Sequence, residues 1–260
     1  MTPLFTNEVI CFVAHDASMS EHFYHCLKLV VSFKGTYSCL LDGQKLTNVS
    51  GHILNRSTPH ACEAVGASVL VYCIDPGSLL GRTILTFLGE RAWVNISDQV
   101  VAEPLRQILD QGQQNLQGNI TPGLAFDVMN ALFPLFQRDD TLAIDERVTK
   151  IVNYVDEHLH KKTLSLVEMA ELISLSPDRT RHLFDEEIGA PFRQYVLWKR
   201  IKLVIHSVVN EDLTLSKAAH HYGFADQSHF NRIFKRMFGS NPAYLLKKNI
   251  HTQFLIPFVD

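Results

Sequence analysis

Apolar residues along this chain change their spacing twice. Through the first 80 residues they come in short runs, over residues 9–13, 27–33, 36–41 and 68–74, rich in Val, Ile, Phe, Tyr and Cys. Gly35, Asp42-Gly43, Ser50-Gly51, Pro59 and Pro76-Gly77 punctuate them. Runs of this length and character predict strands. The Asp-Gly pair between Leu41 and Gln44 predicts a two-residue hairpin, because such a turn needs residues that tolerate positive φ. Many short strands at close spacing predict a small antiparallel barrel or sandwich. Over residues 98–136 the spacing becomes helical. Val101, Leu105, Ile108 and Leu109 recur on one face, with Pro104 in the first turn, and a second apolar helix runs from about Pro122 to Phe136, kinked or ended by Pro134. These two helices can pack on the barrel, form a subunit interface, or do both. Gln137-Arg-Asp-Asp-Thr141 is a polar joint. From Asp145 the pattern is helical to about Lys248, and Phe254-Leu-Ile-Pro-Phe-Val is an apolar tail expected to fold back.

The helical region repeats itself. Leu164-Ser-Leu-Val-Glu-Met-Ala170 is echoed by Leu213-Thr-Leu-Ser-Lys-Ala-Ala219, and Leu183-Phe184 with Gly189 by Ile233-Phe234 with Gly239. In the first unit Ser165 and Glu168 form a capping box for a helix that carries Met169, Ala170 and Leu172 inward. Ser174-Leu-Ser176 is the turn. Ser176 as N-cap and Pro177 in the first turn start a second helix that stops before Gly189. Its spacing turns Thr180, Leu183 and Phe184 inward and sets Asp178, Arg181 and His182 on the opposite face. In the second unit Thr214 caps the first helix, Gly223 makes the turn and Asp226 caps the second helix. That helix holds Phe230, Ile233 and Phe234 inward and Gln227, Ser228, His229, Asn231 and Arg232 outward, with Lys235 and Arg236 extending the positive surface. Residues 192–209 between the units read as one long helix. Two helix–turn–helix units at fixed separation suit two successive major-groove segments of double-stranded DNA. Gln, Asn and Arg are the side chains that make paired hydrogen bonds to base edges.

Charge supports this division. The net charge of −3 splits into 8 Lys/Arg against 13 Asp/Glu over residues 1–144, and 16 against 13 over residues 145–250. The repeat is therefore the basic part, though mildly, and a single copy should hold phosphate weakly. All five cysteines lie in the first third without a CxxC pair, which predicts buried reduced thiols rather than a zinc ribbon or a disulfide framework. No apolar stretch reaches the roughly 18 residues of a membrane span. Met1-Thr-Pro-Leu-Phe-Thr-Asn-Glu8 has neither a basic start nor a long apolar run. A cytoplasmic location away from membranes is expected.

Gly223-Phe-Ala-Asp-Gln-Ser-His-Phe-Asn-Arg-Ile-Phe-Lys-Arg-Met-Phe-Gly-Ser-Asn-Pro-Ala-Tyr244 closely resembles the signature of AraC/XylS-family transcription regulators. The match covers about residues 145–248, including Ser176-Pro177, Leu183-Phe184, Gly189 and Tyr195. The front half is similar, less specifically, to that family's cupin-type effector domain. The resemblance implies an α+β two-domain chain. A cupin-like antiparallel β-barrel with trailing helices would span residues 1–136 and a linker 137–144. An all-α DNA-binding domain of two helix–turn–helix units joined by a long helix would span 145–250, followed by the tail 251–260. It further implies a small-molecule effector of unknown identity, homodimerisation through the N-terminal domain and recruitment of RNA polymerase, most simply as an activator. DNA contacts are expected from Arg179, Arg181, His182, Gln227, Ser228, His229, Asn231, Arg232, Lys235 and Arg236. Two features depart from the pattern: Asp185-Glu-Glu187 makes the end of the first reading helix acidic, and Asp178 lies on the presumed DNA face.

The effector candidates are His22, Tyr24, His25, Tyr37, Arg56 and His60, with Arg56 a possible partner for a carboxylate. A metal-dependent cupin fused to a DNA-binding domain is the enzymatic alternative, since His15, His22, His25, His52 and His60 crowd the front half. The metal form, however, places His-x-His before a Glu, whereas here His22-x-x-His25 precedes Leu27-Lys-Leu-Val. On a strand, i and i+3 point to opposite faces, so His22 and His25 cannot both ligate from regular β structure. No nucleophile–base pair, phosphate loop or paired-carboxylate motif occurs. No metal, cofactor or catalysis is expected. A third reading keeps the regulator but replaces the small molecule with a protein partner.

Overall fold

The computed structural model describes residues 9–115, 121–136, 143–160, 163–211, 213–246 and 252–255. Most of the expected linker, and the tail apart from residues 252–255, lie outside them. The chain divides into two compact units, Met1–Asp139 with Lys235–Asp260, and Asp140–Phe234.

The first unit is an antiparallel, nearly closed β-barrel. Its strands are β1 (Val9–His22), β2 (Leu27–Lys34), β3 (Tyr37–Leu41), β4 (Gln44–Val49), β5 (Gly51–Leu54), β6 (His60–Ile74), β7 (Trp93–Asn95) and β8 (Thr252–Leu255). The long β6 organises the sheet. One edge pairs with β1 from Val9↔Ile74 to His22↔His60. The other edge pairs with β2 from Leu27↔Ile74 to Lys34↔Ser68 and with β3 from Ser38↔Glu63 to Leu41↔His60. The β3–β4 hairpin turns at Asp42 (φ 47°) and Gly43 (φ 77°), the positive-φ pair the sequence demanded. Part of the apolar tail does fold back: β8 pairs with β1 from Cys11↔Leu255 to Ala14↔Thr252.

The continuous apolar runs are explained by strands that are covered on both faces. Val9, Cys11 and Val13 of β1, Leu27, Leu29 and Val31 of β2, and Leu70, Tyr72 and Ile74 of β6 share one core with flanking helices. Those helices are α1 (Leu79–Leu88), α2 (Ser97–Val101), α3 (Leu105–Asn115) and α4 (Pro122–Leu132). The alternate positions, among them Phe12, Ala14, Lys28, Val30, Val69 and Val71, line a cavity inside the barrel. Helix α1 was not anticipated. Ser78 caps it through the Gly81 N–H, and Gly81 is required because a Cβ there would stand 2.0 Å from the Asp75 carbonyl oxygen. Pro104 immediately precedes α3 rather than lying in its first turn, and α4 gives way at Phe133 to a 3₁₀ turn, Phe133–Phe136, containing Pro134. Tyr72 donates its hydroxyl to the Ala125 carbonyl at 2.8 Å, tying α4 to β6. The cysteines among these strands are free thiols.

The second unit is helical: α5 (Glu146–Glu157), α6 (Leu166–Leu172), α7 (Pro177–Ile188), α8 (Phe192–Asn210), α9 (Leu215–His221) and the first part of α10 (Gln227–Phe238). A short α11 (Pro242–Leu245) follows in the first unit. Ser165, Ser176 and Thr214 cap α6, α7 and α9 as expected, each accepting a backbone N–H three residues on. Val148, Ile151, Met169, Phe184, Ile188 and Tyr195 form the core of the first helix–turn–helix. Ala218, Ala219, Phe230, Ile233 and Phe234 are buried in the second. One inward-facing expectation fails. Leu172 is 42% exposed, because it lies about 100° around α6 from the stripe centred on Met169, Ala170 and Ile173.

Candidate nucleic-acid interface and barrel cavity

The two turns are built alike. The Leu175 N–H donates to the Ala170 carbonyl, and the Phe224 N–H to the Ala219 carbonyl, both at 3.0 Å. Each turn passes through a positive-φ residue at the same repeat position, Ser174 in the first and Gly223 in the second. The small Ala170 and Ala219, both buried, are where the turn's amide closes against each helix.

On α7, Asp178, Arg179, Arg181 and His182 are all exposed. Arg181 Nη2 bonds Asp178 Oδ1 at 2.5 Å, and His182 Nε2 lies 3.7 Å from Asp178 Oδ2. The acidic residue thus bonds Arg181 and lies beside His182 on this face. On α10, the Asp226 carboxylate accepts the His229 N–H at 2.6 Å and caps the helix. Gln227, Ser228 and Arg232 are exposed, as are Lys235 and Arg236. His229 and Asn231, expected outward, are half-buried. They flank the apolar stripe of Phe230, Ile233 and Phe234 at about 100° rather than opposing it. The His229 ring packs edge-on against Phe224 with centroids 5.7 Å apart.

The barrel cavity takes in three of the six effector candidates, His22, Tyr37 and His60. Tyr24 is buried but does not line it; His25 is half-exposed and bonds Ser57 Oγ at 3.1 Å; Arg56 is exposed on a turn. An arginine inside the barrel mouth is therefore not what this chain provides. The cation inside the barrel is Lys28, which the sequence reading did not name. Its Nζ lies 2.6 Å from His22 Nε2, 2.8 Å from His60 Nε2 and 3.4 Å from the Met237 carbonyl oxygen. Three acceptors match the three protons of an ammonium. Among the described residues no carboxylate stands within ion-pair distance of it. Part of the signal was present: Lys28 is the one charged residue in the apolar run from Cys26 to Phe33, although the run alone does not give the face it occupies.

Burial, reinforced by Lys28, lowers His22 to about 3, lowers His52 to about 3 and pushes His60 further down. His52 Nδ1 meets the Tyr37 hydroxyl at 2.6 Å, and its Nε2 is buried without a hydrogen-bond partner among the described residues. The remaining wall is apolar, with Phe12, Val30, Val69, Val71 and Phe238. Phe238 ends α10 and meets the Phe12 ring edge-on at 6.1 Å. The following Gly239, at φ 69°, is obligatory, since a Cβ there would stand 2.4 Å from His22 Nδ1. Among the described residues no cluster of three His, Cys, Asp or Glu could hold a metal ion.

A family model described as a helix-turn-helix domain matches residues 169–248. The probable transcriptional regulator LumQ of Photobacterium leiognathi is 32% identical over 253 residues, covering 93% of this chain and 96% of that one. The arabinose operon regulatory protein of Escherichia coli (strain K12) is 26% identical over 143 residues, 53% of this chain and 48% of its own. Among solved structures, an apo ToxT from Vibrio cholerae strain SCE256 matches over 93% of this chain and 98% of its own, with a TM-score of 0.61 at 14% identity. The wild-type ToxT of that strain bound to an unsaturated fatty acid matches over 92% and 94%, with a TM-score of 0.52 at 14% identity. At these identities the likeness to ToxT is one of fold.

A β-barrel unit carried on the same chain as two helix–turn–helix motifs that share one long helix defines a DNA-binding transcription regulator. The chain belongs to the AraC/XylS family of transcriptional regulators.

Proposed function

We propose that α7 and α10 read two successive major-groove segments of double-stranded DNA, and that a small carboxylate bound at Lys28 controls this reading. The DNA contacts would come from Arg179, Arg181, His182, Gln227, Ser228 and Arg232, with Lys235 and Arg236 toward phosphate and His229 and Asn231 at the flanks. Lys28 carries the effector reading. It is a buried amine whose described partners are neutral, at the edge of an apolar cavity. Burying a charge without a counter-ion is costly, and a ligand carboxylate would offset that cost while its apolar part met Val30, Val69 and Val71. The fatty acid held by ToxT, which shares the fold, supports that ligand class.

The cavity is about 50 Å³, well under the roughly 300 Å³ at the lower end of small-molecule sites. A ligand with a tail must therefore displace a wall residue such as Met19 or Phe238. Because Phe238 closes α10, that displacement would give the ligand a route to a reading helix. The same small volume favours a second reading, in which no small molecule binds and a protein partner controls activity.

Modest positive charge in the repeat supports a homodimer occupying two sites, and the α3–α4 pair is the surface we assign to it. Recruitment of RNA polymerase, a cytoplasmic location and the absence of catalysis complete the proposal. Among the described residues no helix is long and apolar enough to cross a membrane.

The test is fluorescence anisotropy on a duplex selected from a random library, with and without oleate. Salt-sensitive binding that changes several-fold with oleate supports the proposal. Equal affinity for selected and scrambled DNA would sink the regulator reading. Sequence-specific binding that neither oleate nor shorter carboxylates alter would leave the ligand-free regulator.

A further inference from the structure

The second unit holds a separate cleft of about 550 Å³ that the effector reading does not use. Arg181 of α7, His229 of α10, Gly223 of the second turn, and Arg193 and Arg200 of α8 line it, together with one carboxylate, Asp185. Both reading helices therefore contribute to one cavity, with the helix that spaces them as its floor. Three guanidinium groups against one carboxylate make it positive.

Arg193 is the unusual member. It is exposed, and among the described residues no carboxylate lies within ion-pair distance of it. It sits at the second position of α8, where the helix dipole is positive and an arginine is electrostatically misplaced. The N-cap, Pro191, offers no side-chain hydrogen bond, so the Phe192 and Arg193 N–H groups receive no cap from it, while the Gln194 N–H bonds the Pro191 carbonyl at 2.8 Å. An unpaired cation beside uncapped amides is unfavourable alone and favourable once an anion arrives.

We propose that this cleft binds a backbone phosphate of the DNA between the two stretches read by α7 and α10, with Arg193 as the principal contact. The inference rests on the DNA-reading role of those helices. A duplex that enters both reading helices must carry its backbone past the α8 N-terminus, where Arg193 stands. The contact would add affinity and fix the register of the two readers without adding base preference.

The experiment measures Kd against salt concentration for wild type, Arg193→Ala and Arg193→Lys, on the selected duplex and on scrambled DNA. Arg193→Ala is expected to weaken both duplexes by the same factor and to reduce the salt slope by about 0.9, the value for one lost phosphate. Arg193→Lys should restore most of the slope. A methylphosphonate placed between the two half-contacts should weaken wild type but leave Arg193→Ala unaffected. Without DNA, Arg193→Ala should melt at or above the wild-type temperature, since it removes a charge the helix dipole opposes. An unchanged slope with normal DNA binding overturns the phosphate site alone. A wild type with no salt-dependent binding overturns the reading role as well.

Discussion

His22 accepts from Lys28 Nζ through Nε2 at 2.6 Å while its Nδ1 lies 2.7 Å from the Ser20 carbonyl oxygen. The second contact requires the proton on Nδ1, so Nε2 is left as the acceptor. His60 repeats the arrangement with the Thr58 carbonyl at 2.8 Å. Two neutral imidazoles thus hold one buried amine. Protonating either ring would remove an acceptor and set a second cation beside Lys28.

Stability should therefore fall with acid. His22 and His52 titrate near 3 in the folded state, and His60 lower still, against about 6.5 unfolded. With folded values depressed, the unfolded chain binds more protons below about pH 6.5, so stability is full above that pH and declines toward pH 3. Each histidine contributes a slope on the order of 1 kcal/mol per pH unit. Urea unfolding between pH 8 and 4.5 checks this. A flat profile would mean that the rings are solvated and protonate without penalty. Saturating carboxylate ligand should flatten the slope, because an anion at Lys28 raises the neighbouring histidines.

Lys28→Met keeps the volume and removes the charge. The desolvation cost of the buried charge is removed, but His22 Nε2 and His60 Nε2 lose their donor. The two effects oppose each other, so the variant should fold with stability within about 2 kcal/mol of wild type, while losing any thermal shift or DNA-binding response to oleate. A Lys28→Met protein that still responds would move the carboxylate site elsewhere in the barrel.

The repeat and its caps were legible because each depends on local chemistry: Ser176 before Pro177, Asp226 before an amphipathic helix, Gly189 and Gly239 after one. The barrel interior was not. Strands covered on both faces read as unbroken apolar runs, so the sequence alone does not say which alternate set faces inward. Register supplies that, and with it the inward position of Lys28; Arg56 lies on the turn between β5 and β6, which no strand period governs. Arg193 escaped notice for another reason. It belongs to the spacer helix, and only the meeting of α7, α8 and α10 around one cleft sets it beside the reading surface.

The matched turns differ in cost. Ser174 holds φ 56° with a side chain, whereas Gly223 holds φ 80° without one. A Cβ on Gly223 would lie 3.0 Å from the Arg200 guanidinium carbon. Gly223→Ala should lose about 1–2 kcal/mol, from left-handed backbone strain plus that contact. Ser174→Gly should be near neutral, since relief of strain is offset by a more flexible unfolded chain. Thermal unfolding of both variants decides this. Equal losses at the two positions would contradict the strain argument.

Arg232 and Lys235 are both exposed on α10, yet they should behave differently. Arg232→Ala is expected to cost about 1–3 kcal/mol and to relax preference at one base pair. Lys235→Ala should weaken all duplexes alike and reduce the salt slope by about one. Binding to a library of single-base variants separates the two. A uniform loss for Arg232→Ala would place that residue on phosphate.

Asp178 bears most directly on how α7 meets DNA. Its carboxylate is 71% exposed and pairs with Arg181, itself 53% exposed, at 2.5 Å. An ion pair so open to solvent contributes little to stability, so Asp178→Ala should change unfolding by less than about 0.5 kcal/mol. On the proposed DNA face the same carboxylate would repel phosphate, and it occupies an arginine that would otherwise be available to guanine. If it serves only as a helix-start charge, Asp178→Ala should strengthen binding to every duplex, most at low salt, because a repulsion is removed and Arg181 is released. If it accepts from a cytosine amino group, the variant should instead lose roughly 1–3 kcal/mol at a single base pair and leave other sequences unchanged. The exposed geometry and the existing bond to Arg181 favour the first outcome. A position-specific loss would make Asp178 a base reader and Arg181 its positioning partner.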